Sequence, residues 1–187
     1  MIGSILIANR GEIAVRVVRA CKDLGIRSVV AYSTADKETL AVQMADQAVC
    51  IGGPETKESY LKSKNIIMAA CLTRCDAVHP GVGFLSENAG FAKAVEDAGL
   101  IFIGPRSETI ALLGNKVAAR KAALEAGLPI TPGSKEAIAD LEDAKQTAAQ
   151  IGYPIILKAA AGGGGRGMRI VRKQSELASN LALAKKE

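Results

Sequence analysis

The chain has 187 residues, of which 49% are hydrophobic and only 3% aromatic, and it carries a formal net charge of +5. This length accommodates one complete α/β domain and part of a second. The cationic residues are scattered, and with three Tyr, three Phe and no Trp there is little aromatic surface on which bases could stack. The composition therefore argues against a nucleic-acid-binding protein.

The first half of the chain alternates apolar strand patterns with helical patterns. Strands are predicted at 4–8, 27–33, 47–51, 76–79 and 100–103. Helices are predicted at 14–24, after a turn at 9–11, and at 60–72 and 87–98. The polar residues 34–36 are expected to cap a short helix that ends at Met44. Strands joined by helices form a parallel sheet that is covered on both faces, with ligands at the carboxyl ends of the strands. The predicted fold class is therefore α/β with a Rossmann-like parallel sheet.

The pattern changes after Pro105, where two helices follow one another at 107–113 and 116–126. We therefore place a domain boundary between residues 113 and 114. The second domain, 114–187, continues with a helix at 141–151, strands at 153–159 and 168–172, and a helix from about Ser175 that has no stop signal. Two strands and two helices do not close a core, so we expect this second domain to be incomplete.

A glycine cluster between the last two strands is the most informative motif. The G-x-G-x-x-G fingerprint of dinucleotide sites requires a helix after it, whereas residues 168–171 form a strand pattern, and no Walker A lysine follows. The remaining interpretation is a hairpin whose glycine loop presents backbone N–H groups to a nucleotide triphosphate. A hairpin tip without a ligand is the alternative. The candidate phosphate or nucleotide contacts are Lys158, Gly163, Gly164, Gly165, Arg166, Gly167 and Met168.

Two further positions are candidates for ligand contacts. Lys116 follows Asn115 at a helix start, where the helix dipole disfavours a cation, so a nearby anion or a solvated side chain would explain it. Residues 79–88 lead from a buried strand into a helix, and His79, Gly83 and Glu87 are candidates for a substrate pocket at this edge of the sheet. A helix cap at Ser86 or Glu87 and a structural role for His79 are the alternatives.

Neither a metal site nor a membrane segment is expected. His79 is the single histidine, and Cys71 and Cys75, one helical turn apart, lack the second ligand pair of a zinc site. The spacing of the four cysteines is not that of a disulfide framework. No apolar run approaches the roughly 20 residues that span a bilayer, and the apolar opening reaches Arg10 too soon for a secretory signal, so we expect a cytoplasmic protein.

Four sets of residues, taken together, resemble the biotin carboxylase family, and they occur in the family's order with nearly its spacing. They are 7–14, 79–88, 102–105 with 114–116, and Lys158 with 162–168. The family includes the biotin carboxylase subunit of bacterial acetyl-CoA carboxylase and the equivalent regions of pyruvate and propionyl-CoA carboxylases. The resemblance implies a preATP-grasp domain at 1–113 and the start of an ATP-grasp fold, with its glycine-rich lid, at 114–187.

The resemblance also implies an activity, that of an ATP-dependent carbon–nitrogen ligase. ATP phosphorylates bicarbonate to carboxyphosphate, which releases carbon dioxide beside biotin, and the biotin ring nitrogen is carboxylated on its carrier protein. Lys116, Lys158 and the glycine lid would contact ATP. The family's magnesium-binding glutamates, bicarbonate-binding arginine and base would all lie outside this span. We therefore assign no catalytic or metal residue here, and expect the chain alone to be inactive.

Partners follow from the same resemblance: a biotin carboxyl carrier protein, carboxyltransferase subunits, and a second copy of the full-length protein in a homodimer. Arg16 and Arg19 resemble the family's dimer surface and equally suit a solvated helix face. The choice of acyl substrate belongs to the carboxyltransferase, and the acetyl-CoA enzyme would serve fatty acid biosynthesis.

The sequence departs from the family pattern at two positions. Val82 stands where the family usually has a tyrosine near the biotin site, and Arg74 stands where related sequences often have glycine. Another ATP-grasp ligase, such as a carbamoyl-phosphate-type synthetase, is the alternative within enzymes. A non-catalytic nucleotide-binding or interaction module is the alternative outside them.

Overall fold

The computed structural model describes residues 2–134, 136–158 and 168–184. The chain divides into two compact units, Met1–Ala111 and Leu112–Glu187. The strands of the first unit are β1 Ser4–Ile7, β2 Arg27–Ser33, β3 Gln47–Gly52, β4 Ala77–His79 and β5 Ile101–Phe102. Its helices are α1 Gly11–Asp23, α2 Leu40–Met44, α3 Ser63–Leu72, α4 Ala89–Asp97 and α5 Ser107–Gly114.

The strands of the first unit form one parallel sheet in the order β3-β2-β1-β4-β5. This confirms the predicted α/β fold with a parallel sheet. The order runs outward in both directions from β1, so the carboxyl ends of β1 and β4 are neighbours at the point where the order reverses. Open α/β sheets bind their ligands at such a point.

Both faces of the sheet are buried, which explains why the strands have almost continuous apolar sequences. On one face, Leu6 of β1 packs with Ile66 of α3 and Phe91 of α4. On the other face, Ile7 packs with Val18 of α1. Each of these side chains is at most 2% exposed, and burial of one large apolar side chain contributes about 1.5–3 kcal/mol. The two layers of helices therefore hold the sheet rigid behind its carboxyl edge.

Two carboxylates close the amino edge of the sheet. Asp46 accepts hydrogen bonds from the Ser28 backbone N–H (2.8 Å) and hydroxyl (2.7 Å). Asp76 accepts from the backbone N–H groups of Gly3 and Ser4, both at 2.9 Å. Backbone and side-chain hydrogen bonds from Ser28 lower the pKa of Asp46, and those from Gly3 and Ser4 lower the pKa of Asp76. These contacts lie at the edge opposite the expected ligand site.

The second unit contains a two-stranded antiparallel hairpin and three helices among its described residues. They are α6 Lys116–Glu125, α7 Leu141–Ile151, β6 Ile155–Leu157, β7 Arg169–Val171 and α8 Leu177–Ala184. Its core is small, formed by Ala144, Ala148, Val171 and Leu177. No residue of α6 is buried. The antiparallel pairing of β6 with β7 confirms the predicted hairpin.

Three local predictions are wrong. Tyr60 lies outside α3, because residues 56–58 form a 3₁₀ turn and the helix begins only at Ser63. Asp36 does not cap α2, since it ends a 3₁₀ turn and its carboxylate faces the protein interior. The cap of α4 is Asn88, whose side-chain oxygen accepts from the Phe91 N–H at 2.8 Å, and not Ser86 or Glu87.

The thiols of all four cysteines are free. Cys21 and Cys75 are buried and have raised pKa values, chiefly because burial disfavours the thiolate, whereas Cys50 and Cys71 are exposed. In the described part of the chain, no helix combines the length and the apolar character needed to cross a bilayer.

Candidate functional site

The segments that follow β1 and β4 meet at the carboxyl edge of the sheet. Ile7 pairs with His79 across the two strands, and the Ala8 N–H donates to the His79 carbonyl at 2.9 Å. Asn9, directly after this contact, enters the turn that leads into α1, and residues 80–84 leave β4 alongside it. The parallel pairing therefore brings together two segments that are 71 residues apart in the sequence.

The side chain of Asn9 connects these two segments through hydrogen bonds. Its side chain is 3% exposed, and its amide nitrogen donates to the carbonyls of Pro80 (2.8 Å) and Val82 (3.0 Å). Its amide oxygen accepts from the Arg10 N–H at 2.9 Å. Gly81, between the two carbonyls, has a φ of +67°, and a Cβ there would lie 2.5 Å from the Asn9 amide nitrogen. Only glycine fits this position without displacing Asn9.

His79 is held in its neutral form at the start of the same loop. Its Nδ1 accepts a hydrogen bond from the Gly81 N–H at 3.0 Å, so this nitrogen carries no proton. The half-buried position lowers the pKa of the imidazole through loss of solvation. The contact with the Gly81 N–H gives His79 a structural part in the loop. Its assignment to a substrate pocket stays a prediction.

A groove of about 490 Å³ runs along α1, from this loop and the residue after β5 to Leu24 and Ile26 beyond the end of the helix. Val82, at its border, is 70% exposed. Of the described residues that line the groove, most are apolar, and neither Gly83 nor Glu87 is among them. The assignment of these two residues to a substrate pocket therefore also stays a prediction. The lining includes Ile13, Arg16, Val17, Ala20, Leu24, His79, Gly81, Val82 and Ile103.

A buried carboxylate lies at the same edge, after β2. Asp36 is 3% exposed. Its Oδ1 accepts from Nη2 and Nε of Arg10 (2.6 and 3.1 Å), and its Oδ2 accepts from the hydroxyls of Ser33 (2.6 Å) and Tyr60 (2.9 Å). Burial alone would raise the pKa of Asp36, but the hydrogen bonds from Ser33, Tyr60 and Arg10 outweigh it and hold the pKa below its usual range. Asp36 is therefore a buried anion with four donors.

Tyr60 joins this carboxylate to the loop after β4. Its hydroxyl donates to Asp36 and accepts from the Ser33 N–H at 3.0 Å. Burial, together with the neighbouring carboxylate, raises the pKa of Tyr60 to about 12. The ring stacks on Phe84, with centroids 5.0 Å apart and planes 15° from parallel. Phe84 has a φ of +43°, an uncommon backbone conformation for a residue with a large side chain.

The sequence alone does not reveal the roles of Asn9, Asp36 and Tyr60. The available signal was position, because Asn9 and Asp36 are polar residues just after buried strands whose carboxyl ends share one edge. Tyr60 offered no comparable signal, since its apolar ring continued the helical pattern of the residues after it.

The nucleotide-contact candidates lie in the second unit, and the structure describes only some of them. Lys158 follows β6 with an exposed side chain, and Met168, half exposed, precedes β7. They stand at the two ends of the glycine segment. Gly163, Gly164, Gly165, Arg166 and Gly167 lie outside the described residues.

Lys116 is the first residue of α6, as predicted, and is partly buried. The helix cap beside it is Asn115, whose side-chain oxygen accepts from the N–H groups of Val117 (3.0 Å) and Ala118 (3.1 Å). Across residues 2–134, 136–158 and 168–184, no three His, Cys, Asp or Glu side chains are grouped so that they could hold a metal ion.

The parallel sheet with helices on both faces defines an α/β protein of the Rossmann-like class, and a second compact unit with an antiparallel hairpin follows it. Residues 1–110 match the family model described as the biotin carboxylase N-terminal domain. Residues 115–187 match the model described as the ATP-binding domain of the carbamoyl-phosphate synthase L chain. The chain belongs to the biotin carboxylase family.

Known proteins resemble this chain over its whole length. Biotin carboxylase 1 of Bacillus subtilis (strain 168) is 51% identical over 187 residues, which are 100% of this chain and 42% of that protein. The structure of a biotin carboxylase complex with β-γ-ATP from Campylobacter jejuni is 47% identical and has a TM-score of 0.95, covering 100% of this chain and 42% of the other.

A third similar structure is the biotin carboxylase domain dimer of Hydrogenobacter thermophilus 2-oxoglutarate carboxylase, in complex with MgADP, ADP and bicarbonate. It is 45% identical, with a TM-score of 0.93, over 100% of this chain and 41% of the other. The chain thus spans about two fifths of the length of these relatives.

Proposed function

We propose that the protein to which this chain belongs is a biotin carboxylase, which uses ATP and bicarbonate to carboxylate biotin on a carrier protein. The observation that carries the proposal is the 51% identity to a biotin carboxylase over all 187 residues. The geometry agrees, because the loop that Asn9 and His79 hold after β4 lies at the sheet edge where α/β proteins bind their ligands.

ATP is proposed to bind in the second unit. Lys116, Lys158 and the segment Gly163, Gly164, Gly165, Arg166, Gly167 and Met168 are its proposed contacts, with cations and backbone N–H groups directed at phosphate oxygens. The exposed Lys158 at the end of β6 suits this role, since it is free of the buried core. Two similar structures were determined with adenine nucleotides, which supports the proposal.

Magnesium is proposed as a cofactor whose ligands lie elsewhere in the protein. The MgADP in the Hydrogenobacter structure supports the ion itself, whereas the described residues of this chain offer no group of ligands for it. We therefore assign no step of the reaction to a metal-binding residue of this chain. For the same reason, the chain alone is proposed to lack the activity.

Biotin is proposed to approach the loop that contains His79, Gly81 and Val82. Asn9 fixes the carbonyls of this loop, so the loop offers biotin a backbone that is already in place. His79 contributes a neutral imidazole, so it adds no charge to the site. Val82 presents an aliphatic surface where the family usually has a tyrosine, so we expect weaker contact with biotin and unaltered contact with ATP.

The proposed partners are bicarbonate, a biotin carboxyl carrier protein and carboxyltransferase subunits, in a cytoplasmic enzyme that dimerises at full length. The Hydrogenobacter structure is a dimer with bicarbonate, which supports two of these partners. Arg16 and Arg19 are proposed to face the second copy. The acyl substrate depends on the carboxyltransferase, and fatty acid biosynthesis is the proposed route if that substrate is acetyl-CoA.

An ATPase assay on the full-length gene product tests the proposal. We expect bicarbonate-dependent ATP hydrolysis that free biotin stimulates. Bicarbonate-dependent hydrolysis without any biotin stimulation would instead indicate carboxyphosphate chemistry of another ATP-grasp ligase, such as the carbamoyl-phosphate type whose ATP-binding domain model matches residues 115–187. A folded protein that binds ATP without hydrolysing it would indicate a non-catalytic module.

The nucleotide contacts are tested by Lys116→Gln, with Lys121→Gln on the same helix as the matched control. Lys121 is 77% exposed and makes only a 3.9 Å ion pair with Glu125, so its loss should leave the KM for ATP unchanged. We expect Lys116→Gln to raise that KM about tenfold, the effect of losing one charge-assisted contact worth about 1.4 kcal/mol. Equal KM values in the two variants would contradict the assignment of Lys116.

A further inference from the structure

The buried carboxylate of Asp36 contacts three different segments of the carboxyl edge. Arg10 belongs to the turn after β1, Ser33 ends β2, and Tyr60 lies between β3 and α3. A buried charge is costly unless every lone pair is used. Asp36 meets that condition with four donor contacts between 2.6 and 3.1 Å. The carboxylate therefore fixes the relative positions of these three segments.

Two of these segments hold the loop 80–84 directly. The turn after β1 holds it from one side, since the Asn9 amide binds the carbonyls of Pro80 and Val82. Tyr60 holds it from the other side, through its stack on Phe84. Phe84 has a φ of +43°, a sparsely populated backbone conformation of the kind that persists where the surrounding structure holds it. The loop is thus held by two elements, the turn after β1 and Tyr60, and each of them donates a hydrogen bond to Asp36.

We propose that Asp36 is a positioning residue for the biotin site, acting through Tyr60 and Phe84 on one side and through Arg10 and Asn9 on the other. This inference rests on the proposed function for the identity of the substrate. Asp36 touches no substrate itself. It sets the backbone of the loop 80–84, and so the place of Val82 at the border of the groove.

A purely structural role would give a different pattern of defects. If Asp36 only stabilised the first unit, its substitution would lower the fraction of folded protein. The KM values for ATP and biotin, measured on the folded protein that remains, would be unchanged. A positioning role instead predicts a selective rise in the KM for biotin, because only the contacts made at the loop 80–84 are displaced.

The test uses the full-length protein with the variants Asp36→Asn and Tyr60→Phe. Tyr60→Phe keeps the ring that stacks on Phe84 and removes only the hydroxyl that binds Asp36 and the Ser33 N–H. Asp46→Asn is the matched control, since Asp46, like Asp36, accepts from a serine hydroxyl but lies at the opposite edge of the sheet, where its other donor is the Ser28 backbone N–H.

We expect Asp36→Asn to raise the KM for free biotin about tenfold while the KM for ATP stays within about twofold. Hydrogen exchange measured by mass spectrometry should show faster exchange of the peptide that contains residues 80–84 in both Asp36→Asn and Tyr60→Phe. Asp46→Asn should leave the KM for biotin and the exchange of that peptide unchanged. If Asp36→Asn does not fold, Tyr60→Phe gives the same two readouts with a smaller rise in KM.

Unchanged exchange at 80–84 in a folded Asp36→Asn or Tyr60→Phe protein would overturn the inference. A rise in the KM for ATP equal to that for biotin would also overturn it. These outcomes are distinct from a failure of the proposed function, which would appear as wild-type protein whose ATPase does not respond to biotin. In that case hydrogen exchange still decides whether Asp36 positions the loop.

Discussion

Replacement of Gly81 by alanine is the sharpest test of how the loop after β4 is held. The new Cβ would lie 2.5, 2.7 and 2.8 Å from the Nδ2, Cγ and Cβ atoms of Asn9, closer than real Cβ contacts allow. Asn9 cannot move aside freely, because two hydrogen bonds fix its amide nitrogen on the carbonyls of Pro80 and Val82. The substitution must therefore displace Asn9 or the loop.

The expected cost has two parts. Alanine at a φ of +67° pays about 1 kcal/mol for the left-handed backbone. Displacement of Asn9 gives up two hydrogen bonds of a side chain that is 3% exposed, at about 1 kcal/mol net for each. We therefore expect Gly81→Ala to lower the free energy of unfolding of the first unit by about 3 kcal/mol, a large fraction of the typical stability of a domain.

Gly83 provides a matched control in the same loop. Its φ is +74°, but a Cβ there would meet no atom within 4 Å. Gly83→Ala should therefore lower the free energy of unfolding only by the backbone term of about 1 kcal/mol. Urea denaturation of both variants measures the difference, and hydrogen exchange of the β1 amides reports on the first unit alone. Equal destabilisation by the two substitutions would refute the steric argument, and with it the role given to Asn9.

Three further predictions concern other positions. Arg74→Gly should raise the free energy of unfolding by about 1 kcal/mol, since Arg74 has a φ of +53° and an exposed side chain. Asn115→Ala should cost about 1 kcal/mol in the stability of α6, seen as faster exchange of its first amides. Burial lowers the pKa of His79, so the stability it contributes is present above its unfolded pKa of 6.5 and is lost as pH falls through the lower folded value. Urea denaturation at pH 7 and pH 5 should therefore show a larger loss for wild type than for His79→Asn.

Each of these predictions has an outcome that would contradict it. A less stable Arg74→Gly protein would mean that the arginine side chain contributes more than its backbone conformation costs. Asn115→Asp keeps a capping oxygen and should preserve slow exchange, so an equal effect of Asp and Ala would rule out the cap. For His79, parallel pH profiles of wild type and His79→Asn would show that the imidazole titrates alike in the folded and unfolded states.

The parallel sheet could be predicted because each strand is indicated by a short run of apolar residues within the strand itself. A strand buried on both faces is apolar over a run of consecutive residues, as β1 is at 5–7 and β2 is at 29–31. Helices α1 and α4 end just before Gly25 and Gly99, both of which have a positive φ. These signals lie within a few residues of the element that they define.

The contacts around Asp36 could not be predicted in this way. Arg10 and Tyr60 are 26 and 24 residues from Asp36 in the sequence, and only the pairing of β1, β2 and β3 brings them together. The helical pattern includes Tyr60 because a buried aromatic ring fits that pattern as well as it fits a tertiary contact. A periodic pattern reports that a side chain is buried, but it does not report what the side chain contacts.

The same geometry explains why the loop after β4 tolerates valine at position 82. The loop is held through the carbonyls of Pro80 and Val82, the N–H of Gly81 and the ring of Phe84, and none of these contacts uses the side chain at 82. Because Val82 is 70% exposed, a change of side chain there alters the surface offered to a ligand and leaves the backbone in place. The residues that fix the backbone of the loop are therefore different from the residue whose side chain faces a ligand. The side chain at 82 can vary while Asn9, Gly81 and Asp36 keep the backbone of the loop in position.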